Sequence, residues 1–263
     1  MSDGVAVVGW GAFVPGFASV TDWLAGRASA EHAAPVGALV PLRDRRRASP
    51  LSRALADAYA GAVERAGFEP AQVASVFGSA LGEVSTMIGL LDQMWSEGTP
   101  LSPMKFATSV HNAAAGVISI ATANRGFTTS LGADYDTPAM ALVEGLGWAS
   151  SRGEAVVVCC GDEAPPDDLV PGQRGWSLLA VAVALCPLEQ APPGAPVLDR
   201  LAPLARSAPV FAPPQTDAVL GRNPSVGLFD LVVALERGID GVVPLDRGDG
   251  RGWGVRVTHP GAA

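Results

Sequence analysis

Apolar positions along this chain follow two periods, one of strands and one of helices. Residues 5–10 form a short apolar run, and Gly11 with Pro15-Gly16 turns the chain away, as after a buried strand. Leu51, Leu55, Ala58, Tyr59 and Val63 recur at helical spacing, which predicts a helix over 51–66 stopped by Gly67. Residues 73–80 (VASVFGSA) predict a strand. Residues 83–97 predict a strongly amphipathic helix carrying Met87, Leu90, Leu91, Met94 and Trp95. The runs 155–160 and 176–186 are continuously apolar, as strands covered on both faces are. Residues 225–238 predict a late helix with Leu228, Leu231, Val232 and Leu235 inward, and 250–257 a glycine turn and final strand. Residues 192–214 are rich in Pro and Ala, which predicts a linker or loosely packed excursion. A helical turn over 21–25 would take Thr21 or Asp22 as its cap.

The stretch 102–144 organises the rest. Asn112 opens a small-residue helix (Ala113, Ala114, Ala115, Ile118, Ile120, Ala121, Ala123) that Gly126 should stop, and 127–131 is a short β-prone run broken by Gly132. Asp136 is placed to cap the next helix, with Thr137 and Pro138 in its first turn. Ala139, Leu142, Val143 and Leu146 then fall on one face. A strand, a sharp turn and a buried helix aim free N–H groups and a positive dipole end at the turn. Its occupants are Ala133, Asp134, Tyr135 and Asp136.

Composition narrows the function classes. At 263 residues the chain suffices for one sizeable domain, and 48% hydrophobic against 17% charged residues leaves apolar surface for a partner to cover. A net charge of −8 argues against a nucleic-acid surface. No run of about 18 uncharged apolar residues spans a membrane, and the N-terminus lacks a basic region before its apolar run, so the cytoplasm is expected. Cys159, Cys160 and Cys186 predict buried thiols in a reducing compartment; the sharper alternative makes Cys160, before Gly161, a displaced nucleophile. No phosphate loop, dinucleotide fingerprint or metal spacing is present, so neither cofactor nor metal is expected, and Asp167-Asp168 reads as solvated loop. Of His32, His111 and His259, His111 suits a hydrogen-bonding or capping role, and a Ser130/His111 pair needs the fold to bring the two together. Arg43, Arg45, Arg46 and Arg47 form a basic knot that is either a solvated loop or a contact for an acidic partner.

The pattern Ser102-Pro103, then Ser109-Val110-His111-Asn112-Ala113-Ala114-Ala115-Gly116 and Ser119-Ile120-Ala121, with strand and tight turn following, resembles the β-ketoacyl synthase family of the thiolase fold. It is most similar to the short N-terminal-domain-like members that serve as chain-length-factor-like subunits of aryl-polyene and type II polyketide pathways. The resemblance implies an α/β thiolase-like fold with one complete βαβαβ half and a reduced second half. Residues 1–190 would be the ketoacyl synthase N-terminal-type domain, 191–224 the Pro/Ala-rich excursion, and 225–263 a compressed remnant of the second half packed on the same domain.

Condensing members carry an acyl-accepting cysteine in the turn. Counting back from Gly161-Asp162-Glu163 puts that position at Ala133–Asp136, closest to Tyr135, and none of these is a cysteine. The late helix is similar to the one that follows a catalytic histidine, whereas Gly221-Arg222-Asn223-Pro224 contains none. The resemblance therefore implies a catalytically silent subunit that pairs with an active β-ketoacyl synthase. Leu81, Met87, Ile88, Leu91, Met94 and Trp95 would line the interface and acyl tunnel, His111, Asn112 and Gly116 would be structural, and the arginine knot would meet an acyl carrier protein. Two other readings stand beside it: a stand-alone acyltransferase or hydrolase using Ser130, Cys160 or His111, and a homodimeric acyl- or aryl-binding module.

Overall fold

The computed structural model describes residues 4–98, 100–167, 169, 176–204, 220–247 and 250–261. In chain order these form β1 (Val5–Phe13), α1 (Val20–Leu24), α2 (Leu42–Arg45), α3 (Pro50–Ala66), β2 (Ala74–Gly78) and α4 (Val84–Asp92). They continue with α5 (Pro103–Ala107), α6 (Ala113–Ala121), β3 (Thr128–Leu131), α7 (Thr137–Arg152), β4 (Val156–Asp162) and β5 (Leu179–Pro187). The last elements are β6 (Val197–Pro203), α8 (Val226–Glu236), β7 (Gly241–Pro244) and β8 (Trp253–Thr258).

The described strands make one mixed sheet in the order β3-β2-β4-β5-β1-β6-β8-β7. β2 runs parallel to β3 and β4, and β5 runs antiparallel to β4 and β1. The apolar runs of β4 and β5 are continuous because both faces are covered. Val156, Val158 and Cys160 join the core with α7 and α8, while Val157 and Cys159 join the core with α3 and α6. On β5 the large residues Leu179, Val181, Val183 and Leu185 face α7 and α8, and Ala180, Ala182 and Ala184 face α3. That small face lets α3 lie close. A Cβ on Gly9 would stand 2.3 Å from the Ala62 carbonyl oxygen, and one on Gly11 2.3 Å from that of Ala58. α3 itself starts at the cap Ser49, with Pro50 in its first turn, and ends at Gly67 with φ 66°.

α8 is buried on every side from Val226 to Leu235. The sheet curls round it, so that β5 and β7, well separated in strand order, both touch it. Asp230 on α8 is fully buried and takes the Arg247 guanidinium, with Nε to Oδ2 at 2.8 Å.

Several local expectations are corrected. Val197–Pro203, inside the expected excursion, is a strand paired with β1 at Val5 and Ala6 and with β8 along its length; pairing overrides its Pro/Ala-rich surroundings. Residues 205–214 of that excursion, like Asp168, lie outside the described residues. Ser19, not Thr21 or Asp22, caps α1. α6 ends at Ala121, short of Gly126, because Ala123 takes a left-handed conformation (φ 54°) and the Asn124 amide donates to the carbonyls of Pro70 and Val73, each at 2.8 Å. The 83–97 helix is α4 followed by a π-helical turn (Gln93–Glu97) that stops at Gly98. Val143 is exposed, since the inner face of α7 is Ala139, Leu142, Gly145 and Ala149. No helix among the described residues is long and apolar enough to cross a membrane.

Candidate functional site

Among the described residues β3 is the edge of the sheet, bonded to β2 on one side only, and the elbow 132–136 carries it into α7. Asp134, exposed at the top of the elbow, has φ 51°, a left-handed conformation that Asp tolerates better than most side chains. Thr137 holds the turn: its hydroxyl donates to the Asp134 carbonyl (2.6 Å) and accepts from the Ala133 N–H (3.0 Å). Asp136 occupies the cap position but its side chain makes no cap bond, which corrects the sequence expectation. Its carboxylate turns instead to the β7–β8 connection, accepting from the Arg251 N–H at 2.8 Å and pairing with Arg251 Nε at 3.5 Å. Asp246 shapes that connection by accepting from the N–H groups of Gly250 (3.3 Å) and Gly252 (2.9 Å). Elbow and connection line an open cleft of about 580 Å³ with Met140 and Trp253, and the Tyr135 ring lies 6.1 Å from that of Trp176.

The charged groups facing this cleft are the carboxylates of Asp134 and Asp136 and the guanidinium of Arg251. All three cysteines are buried elsewhere, on β4 and β5. Burial pushes the Cys159, Cys160 and Cys186 thiols above their ordinary range, so none is poised as a thiolate. His111 Nε2 is 2.8 Å from the Ser79 carbonyl oxygen, a structural tie between the β2–α4 turn and the start of α6. Asn112 stands before α6 without a side-chain cap bond, and Gly116 lies exposed on that helix. Ser130 shares a small cavity with His111, but its hydroxyl has no partner among the described residues. His259 pairs with Asp240 at 2.7 Å beyond β8, and His32 ends a short 3₁₀ turn (Ala30–His32) after α1. Among the described residues no group of three or more His, Cys, Asp or Glu is placed to hold a metal.

Behind the elbow lies a buried hub that sequence reasoning missed. Asp162, at the end of β4, accepts from Ser79 Oγ (2.8 Å), Ala80 N (2.7 Å), Leu81 N (3.3 Å) and Ser225 Oγ (2.7 Å). Asn223 donates to the carbonyls of Asp162 (3.0 Å) and Ser177 (2.7 Å) and accepts from the Ser225 N–H (2.9 Å). Burial pushes the Asp162 carboxyl up to about 6, with the four donors pulling the other way. The one sequence signal was a carboxylate closing a fully apolar strand.

The α4–α5 side leaves large apolar side chains in solvent. Met87, Leu91, Met94, Trp95, Met104 and Phe106 are exposed, Trp95 to 76%, and Leu81 and Ile88 are half-buried. This exceeds the scattered apolar residues normal on a monomer. In the arginine knot Arg45 is used internally, donating to the Val40 and Ala38 carbonyls, while Arg43, Arg46 and Arg47 are exposed.

This architecture is the thiolase-like α/β fold of ketosynthases. The chain is similar to the structure described as the ketosynthase ApeO in complex with its chain length factor ApeC from Xenorhabdus doucetiae, at 20% identity and a TM-score of 0.67, covering 97% of this chain and 99% of that one. It is also similar to a chain of AntDE:AntF, described as a type II polyketide acyl-carrier protein in complex with its ketosynthase bound to the hexaketide (14% identity, TM-score 0.71, 98% and 100% covered). A third likeness is to the ishigamide ketosynthase/chain length factor (17% identity, TM-score 0.58, 75% and 66% covered). Residues 21–195 match the family described as beta-ketoacyl synthase, N-terminal domain, and the chain belongs to that family. No protein of curated function matches the sequence.

Proposed function

We propose that this chain is a catalytically silent, chain-length-factor-like subunit that pairs with an active β-ketoacyl synthase in the cytoplasm. It would shape the tunnel for the growing acyl chain in polyene, polyketide or fatty-acid-type elongation. The observation that carries this reading is the elbow. The strand, turn and helix N-terminus that would activate a nucleophile are built, yet Asp134 stands at the turn and Asp136 is tied to Arg251. Carboxylates there make poor acyl acceptors and repel a thiolate. The edge strand β3 and the exposed apolar side chains of α4 and α5 support a partner-covered face. In this reading Met87 and Leu91 form part of the tunnel floor, and Arg43, Arg46 and Arg47 receive an acidic acyl carrier protein. Residues 225–263 then stand for the reduced second half.

The silence is tested by incubating the isolated chain with acyl- and malonyl-loaded carrier protein and measuring its intact mass. It should remain unmodified; a stoichiometric acyl adduct on any residue would refute the reading.

A further inference from the structure

A small cavity lies between α3, the turn from β2 into α4, the start of α6 and the edge strand β3, with Leu55, Phe77, Glu83, His111 and Ser130 in its lining. Glu83, just before α4, is only 2% exposed. Its Oε1 accepts from Ser49 Oγ at 2.8 Å and Ser52 Oγ at 2.6 Å, which holds α4 to the start of α3. Its Oε2 is buried and has no partner among the described residues. The same is true of Ser130 Oγ, which lines the same cavity from β3. Neighbouring polar groups are already engaged: His111 Nε2 with the Ser79 carbonyl, and Ser79 Oγ with Asp162 and the Gly82 N–H.

A buried carboxylate oxygen and a buried hydroxyl left without partners each carry a desolvation cost, and folded proteins rarely tolerate two such atoms on one cavity. The space open to the centre of a water molecule there is about 10 Å³, at the lower limit of what holds a single water. We infer that one ordered water occupies this cavity, donating a hydrogen bond to Glu83 Oε2 and accepting one from the Ser130 hydroxyl. Both atoms are then satisfied with the chemistry each has to offer: the carboxylate can only accept, and the hydroxyl needs an acceptor. Burial raises the Glu83 carboxyl above its ordinary value while the two serines pull it down, and a donor on Oε2 adds to that pull.

The water joins the edge strand to the start of α4 and, through Glu83, to the start of α3. It makes Ser130 a positioning residue for β3, not a nucleophile. It stands whether or not the chain pairs with a ketosynthase.

The test is a crystal structure of the whole chain, at a resolution that shows ordered water, beside one of Ser130→Val, which removes the hydroxyl and fills its space with methyl groups. The wild type should show one spherical peak within about 2.6–3.2 Å of both Glu83 Oε2 and Ser130 Oγ. The variant should lose that peak while α3 and α4 keep their places. An empty wild-type cavity, a direct bond from Ser130 to Glu83, or elongated density would overturn the inference. Should Ser130→Val fail to fold, water–amide NOEs at Gly82 in the wild type decide: a long-lived water signal is expected, and its absence counts against the site.

Discussion

Replacing Asp162 by asparagine should change how stability depends on pH more than it changes the fold. The carboxylate is fully buried, with three donors on Oδ1 and Ser225 Oγ on Oδ2. In Asp162→Asn the amide oxygen keeps the three donors, and Nδ2 donates to the Ser225 hydroxyl, which can accept. The difference is the charge. Burial raises the carboxyl from 3.8 to about 6, so between those values the folded chain holds a proton that the unfolded chain has lost. Stability therefore falls as pH rises through that window, by about 3 kcal/mol for this group. Asparagine has no charge to bury and should lose that slope. Asp230, likewise raised to about 6 by burial against the pull of Arg247, contributes equally to both proteins and cancels in the comparison. Equilibrium urea unfolding of both at about pH 4 and about pH 7 should show the variant gaining roughly 2.4 kcal/mol on the wild type across the interval, the unfolded carboxyl being still partly protonated at the lower pH. Parallel profiles, or a variant that loses ground as pH rises, would refute the reasoning.

Three further outcomes follow from particular contacts. Gly227→Ala should lower Tm by roughly 5–10 °C in a thermal scan, because its Cβ would stand 1.8 Å from the Leu245 carbonyl oxygen at the centre of the α8 core. Asp136→Ala should cost about 1 kcal/mol in chemical unfolding through loss of the Arg251 contacts, and Asp136→Asn less, since its amide oxygen still accepts from the Arg251 N–H. Met87→Ala and Leu91→Ala should each cost the isolated chain less than about 1 kcal/mol, because 39% and 38% of these residues remain exposed. In a co-expressed pair the same variants should lengthen the products seen by mass spectrometry, and unchanged products from an intact pair would make α4 ordinary surface.

What the sequence made legible was whatever local pattern controls. The runs that became β1, β4 and β5 are apolar because both sheet faces are covered, and α3 carries both its periodic face and its glycine stop in its own residues. Asp136 shows where this ends. Its cap position was legible, but its side chain answers to Arg251, 115 residues away. The Asp162 hub joins Ser79 and Ser225, 83 and 63 residues distant, and a spacing pattern carries no trace of such contacts. β6 was hidden because its strand identity comes from β8, which follows it in the chain. The absence of a cysteine from the elbow was legible; the positive φ of Asp134 was not, since backbone strain is set by the strand and helix that the turn connects.

Pairing without chemistry is what would set this subunit apart from its partner. Its most direct measurement is co-expression of the whole chain with the active ketosynthase of the same pathway, one with an intact cysteine and histidine set, followed by affinity purification through this chain. A one-to-one complex is expected, in which acyl chains load on the ketosynthase cysteine alone. A chain that stays monomeric and well behaved beside that ketosynthase, or one that takes up the acyl group itself, would contradict it.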